Sequence, residues 1–66
     1  MCRNIKKLRR PSEQPTDQEL RDAALQFVRK LTGYRVPSRA NREAFNAAVE
    51  DIAAVTRDLF GKLVTR

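Results

Sequence analysis

From residue 45 onward the chain carries more apolar surface than one neighbouring helix can cover, and this limits the possible folds more than any other feature. Phe45, Ala48, Val49, Ile52, Val55, Thr56, Leu59, Phe60 and Leu63 recur at the three- and four-residue spacing of an α-helix. Within that set Phe45, Ala48, Ile52, Val55 and Leu59 form a heptad-like seam over two repeats. A narrower stripe precedes it: Leu20, Ala24, Phe27, Val28 and Leu31, widened by Ala23 and Leu25. The chain has 66 residues, of which only 19 are apolar and larger than alanine. A single core of that size rarely supplies more than about 3–5 kcal/mol. Two glycines and no tryptophan argue against a compact β fold with many turns.

Local signals punctuate the two stripes. Thr16-Asp17-Gln18-Glu19 spells a capping box, in which each end residue satisfies the other's free amide. Asp17, Glu19 and Asp22 suit the positive end of a helix dipole, and Arg29 and Lys30 suit the negative end. Gly33 is placed to take a left-handed conformation after the last turn, with Tyr34 packing back on Val28. Ser38 reads as the N-cap of the second helix, with Asn41 a competing cap one turn later. Gly61 weakens the final turn by about 1 kcal/mol relative to alanine. Pro11 and Pro15 bracket a polar stretch with little helical prospect.

The expected fold is all-α. Residues 1–15 form a basic N-terminal arm and residues 16–66 an antiparallel helical hairpin, with helices at about 17–32 and 39–63. A hairpin buries one seam, so the wide stripe calls for further cover, most economically a second copy. The expected interface is Phe45, Val49, Ile52, Val55, Leu59 and Phe60.

Charge is unevenly spread. The formal net charge is +6, and Arg3, Lys6, Lys7, Arg9 and Arg10 place +5 in the first ten residues. A second run follows: between Asp22 and Glu43 there is no acid, while Arg29, Lys30, Arg35, Arg39 and Arg42 add +5. Such asymmetry points to a polyanionic partner as one reading and to simple solvation as the other. Asp17–Arg21, Arg39–Glu43 and Asp58–Lys62 are spaced for pairing across one helical turn. Tyr34 adds an aromatic ring beside the second basic run.

Several chemistries are disfavoured. The chain has no histidine and one cysteine, which removes zinc fingers and histidine-based triads. Glu50 and Asp51 are adjacent and diverge around a helix, so no carboxylate pair suits acid–base work. The expectation is a protein that is not an enzyme and needs no cofactor or metal. Cys2 is the one unusual group: with Met1 removed it offers an amine beside a thiol, and Arg3, Lys6 and Lys7 favour the thiolate. It reads either as a reactive or metal-binding thiol or as a small apolar residue near Ile5. A single cysteine fits a reducing cytoplasm, and no apolar run is long enough for a membrane span or a secretion signal.

Certain stretches also resemble a known family. Met1-Cys2-Arg3-Asn4-Ile5-Lys6, Ala24-Leu25-Gln26-Phe27-Val28-Arg29-Lys30, Gly33, Pro37-Ser38 and Ala40-Asn41 resemble a family of short bacterial proteins classed as a domain of unknown function. The resemblance implies a bacterial, cytoplasmic, stand-alone protein and carries over no activity and no catalytic residue.

The leading functional expectation is a small non-catalytic protein that contacts nucleic acid, most plausibly RNA or a ribonucleoprotein such as the ribosome. The contact set is Arg3, Lys6, Lys7, Arg9, Arg10, Arg29, Lys30, Tyr34, Arg35, Arg39 and Arg42. Neither an aromatic strand motif nor a GXXG loop is present, and a sixteen-residue first helix is long for a helix-turn-helix reader. The alternative is an interaction module that docks another protein on the apolar face of the second helix. A redox or metal protein centred on Cys2 comes third.

Overall fold

A computed structural model describes residues 7–10 and 13–64. Helix α1 spans Asp17–Thr32, a single 3₁₀ turn covers Arg39–Asn41, and helix α2 spans Arg42–Lys62. The described residues contain no strand. The helices lie side by side as an antiparallel hairpin, joined by the connection through Tyr34 and Pro37.

The start of α1 follows from its capping box. The Glu19 amide donates to Thr16 Oγ1 at 3.1 Å, and the Thr16 amide donates to Glu19 Oε1 at 2.8 Å. The same carboxylate holds the arm, which the spacing of the sequence does not announce. Arg10 donates through Nη2 to Glu19 Oε1 at 2.8 Å and through Nη1 to Oε2 at 3.1 Å. Glu13 lies 3.8 Å from Arg10 Nε, too far to hydrogen-bond, so that buried nitrogen has no hydrogen-bond partner. With Arg10 clasped, Leu8 packs against the edge of the core. The Arg10 guanidinium, and then the Thr16 amide, hold the Glu19 carboxyl down to about 2 from an ordinary 4.5.

A carboxylate whose folded pKa lies below its unfolded value stabilises the fold above the unfolded value. That contribution drains away as pH falls through the folded one. The clasp should therefore weaken between about pH 4.5 and 2. Acid titration followed by circular dichroism checks this: Glu19→Gln should be less stable than wild type at neutral pH and should lose the pH dependence in that window.

The end of α1 uses Gly33 at φ 77°, whose amide donates to the Arg29 carbonyl at 2.8 Å. The Tyr34 amide goes to Thr32 Oγ1 at 3.1 Å, and that hydroxyl donates to the Val28 carbonyl at 2.8 Å. Thr32 thus takes the donor that a Schellman closure would use. Tyr34 is 40% exposed, and its hydroxyl accepts from Asn41 Nδ2 at 3.2 Å. A Cβ at Gly33 would meet nothing within 4 Å, so substitution there costs only backbone strain. Gly33→Ala should lose on the order of 1 kcal/mol, read as a lower Tm. An unchanged Tm would mean the connection takes another course.

The second helix starts differently from the capping expectation. Neither Ser38 nor Asn41 makes a side-chain cap bond. Asn41 Nδ2 is spent on Tyr34 and on Ser38 Oγ, at 2.9 Å for the latter, so both polar groups brace the connection instead.

The seam is small and flat. Leu20, Ala24 and Val28 of α1 meet Phe45, Val49 and Ala53 of α2 as its buried residues. Ala24 and Ala53, at 2% and 0% exposure, let the two backbones approach closely. Phe45 and Val49 are therefore used inside the hairpin and are not free for an interface, because one turn of α2 faces α1 at each of them. Ile52 and Phe60 are half-buried at the edge, whereas Val55 and Leu59 point outward.

One flank is laced by ion pairs between helices. Arg57 Nε reaches Asp17 Oδ1 at 2.8 Å and Arg21 Nη2 reaches Glu50 Oε2 at 2.6 Å. These replace the Asp17–Arg21 pair expected along α1, because the antiparallel neighbour offers each group a partner. Both are half-exposed, worth at most about 1 kcal/mol each, and their value lies in fixing register. Asp58–Lys62 forms as spaced, at 2.9 Å, whereas Arg39 and Glu43 make no ion pair: Arg39 belongs to the 3₁₀ turn, not to the helix that carries Glu43.

Candidate functional site

The hairpin's connecting end gathers the second basic run. Arg29 and Lys30 occupy the last turn of α1, Arg35 lies in the connection, Arg39 in the 3₁₀ turn, and Arg42 opens α2. The fold brings them to one tip because α1 stops at Gly33 and the chain turns back within nine residues. Arg29 Nε donates to the Arg35 carbonyl at 3.0 Å, drawing the last turn of α1 onto the connection. Gln26, Arg29, Lys30, Gly33, Tyr34 and Arg35 line a shallow concavity of about 390 Å³. Arg39 and Arg42 are outside that lining.

Cations elsewhere in the hairpin are neutralised by acids. Arg10, Arg21, Arg57 and Lys62 each hold a carboxylate at 2.6–2.9 Å. Among the described residues, none of the five tip cations forms an ion pair. Glu43 is the only acid between residues 29 and 43. The tip cations thus keep their charge for solvent or a ligand, with Glu43 the one acid in that stretch.

The arm divides. Lys7 and Arg9 are exposed. Arg10 is not a free ligand, because its guanidinium is occupied on both Glu19 oxygens. Arg3, Lys6 and Cys2 lie outside the described residues. Gln26 joins the tip without having been singled out from the sequence. Its signal was helical spacing, since it sits three and four residues before Arg29 and Lys30. Among the described residues, no three carboxylates or thiols gather as a metal site.

The family described as "Uncharacterized conserved protein (DUF2277)" has a model that matches residues 1–66. The chain belongs to this family. Neither the curated proteins nor the solved structures contain a match to it. Membership covers the arm and both helices together, and the family's description assigns no ligand to any of them. No helix among the described residues is long and apolar enough to cross a membrane.

Proposed function

We propose that this protein is a small non-catalytic binding protein of the cytoplasm, working as a homodimer, that holds nucleic acid at its basic tip. RNA, free or in a ribonucleoprotein such as the ribosome, is the favoured partner. The observation that carries this reading is the sorting of the cations: those along the hairpin are paired with acids and those at the tip are not. Unpaired guanidinium and ammonium groups release counterions when they meet phosphates, which is the main source of affinity for a polyanion.

Two further features favour RNA over duplex DNA. Tyr34 is 40% exposed and its hydroxyl is held by Asn41, so its aromatic ring offers a platform for an unstacked base. The tip also presents helix ends and a turn, not a helix face that would lie along a major groove. Lys7 and Arg9 extend the basic surface from the arm as a secondary contact.

Anisotropy of a labelled single-stranded RNA tests this reading across a salt series. Binding should be present at low salt, fall steeply as salt rises, and vary little with base sequence. Absence of binding at low salt would overturn it. The alternative of a docked protein draws on the exposure of Val55 and Leu59, at 68% and 50%. That surface has a more economical occupant.

A further inference from the structure

The two flanks of the hairpin differ in kind. One is closed by the ion pairs Asp17–Arg57 and Arg21–Glu50. The other carries an apolar groove of about 370 Å³ between the helices, lined by Phe27, Ile52 and Phe60 together with Leu8. Thr56 is the polar residue in its lining, and its hydroxyl donates to the carbonyls of Ile52 and Ala53 at 3.0 and 2.9 Å. No side chain in the groove is left seeking a polar ligand. Beside it, helical spacing continues the apolar stripe outward through Val55 and Leu59.

We propose that this flank is closed by a second copy of the chain, in a two-fold arrangement that completes a four-helix bundle with Val55 and Leu59 near its centre. The proposal rests on the homodimer in the reading above and specifies the face.

Three observations select a second copy. First, among the described residues the two helices make a single layer, whereas a stable domain packs two layers around its core. Second, the large apolar residues on this flank stay uncovered in the single chain: Phe27, Val55 and Leu59 are 43%, 68% and 50% exposed. Third, the flank is self-complementary in form. An apolar ridge at Val55 and Leu59 runs beside an apolar groove at Phe27 and Ile52, so a two-fold rotation sets each ridge against the other copy's groove.

The test is sedimentation equilibrium of the full chain at micromolar concentration, paired with isotope-filtered nuclear Overhauser spectra on a mixture of labelled and unlabelled chains. The expected result is twice the chain mass, a Tm that rises with concentration, and contacts between chains at the Ile52, Val55 and Leu59 methyl groups. In the double variant Val55→Glu, Leu59→Glu both positions are exposed in the single chain, and it should sediment at the chain mass. A wild-type protein that stays at the chain mass overturns both the homodimer and its face. A dimer whose contacts between chains lie elsewhere overturns the face alone. RNA binding does not enter either readout, so failure at the tip and failure of this flank are separable.

Discussion

Replacing Arg29, Lys30, Arg35 and Arg42 together with glutamine should remove most of the salt-dependent affinity for single-stranded RNA. Each phosphate contact contributes about 0.7 to the slope of log affinity against log salt on a single strand, so four contacts contribute roughly 3 units. Between about 50 and 200 mM salt, a slope of that size is worth on the order of 60-fold in affinity. The variant's slope should be shallower by about that amount, with Arg39, Lys7 and Arg9 keeping the remainder. The helices should survive, since none of the four belongs to the buried seam and none forms an ion pair. Replacing Arg21 and Lys62 supplies the control. Both already hold acids, Glu50 across the hairpin and Asp58 one turn away, so their loss should change the slope far less. Anisotropy over a salt series reads all three proteins, and equal losses from the two sets would contradict a dedicated tip.

Phe45→Ala should unfold the hairpin. Phe45 is 7% exposed and is the largest side chain in the buried seam. Truncating a core phenylalanine costs about 3–5 kcal/mol. That equals the whole stability a core of this size ordinarily supplies, about 3–5 kcal/mol. Far-UV circular dichroism should therefore show most of the helical signal lost at room temperature. Val55→Ala, on the same helix and 68% exposed, removes little buried surface within the single chain. Its effect should be limited to assembly. Retention of full helicity in Phe45→Ala would mean that another surface holds the helices together.

The features most legible in the sequence are those set by neighbours in the chain. Thr16 and Glu19 are close enough to cap each other in any helix that starts there. Gly33 stops α1 because only a residue without Cβ takes φ 77° at little cost. The tip cations were visible as an acid-free run, and the short connection brings that run to one end. What periodicity could not show was choice among partners. Arg10 has Glu13 nearby in sequence, yet both of its bidentate hydrogen bonds go to Glu19, nine residues on. Asp17 bypasses Arg21 for Arg57, forty residues away. Likewise the stripe on α2 does not say which residues α1 will cover. Only the packed pair separates Phe45 and Val49, inside, from Val55 and Leu59, outside. Hydroxyl and amide side chains were the least legible, because Thr32, Ser38 and Asn41 each had several backbone and side-chain partners within reach.

Amide chemical-shift mapping of the full chain during titration with a short single-stranded RNA tests the central claim most directly. The largest shifts should fall between Gln26 and Arg42, on the last turn of α1, the connection and the start of α2, and added salt should reverse them. Smaller shifts are expected at Lys7 and Arg9. Shifts concentrated instead along Ile52, Val55 and Leu59, or spread evenly over the paired cations Arg21, Arg57 and Lys62, would contradict it.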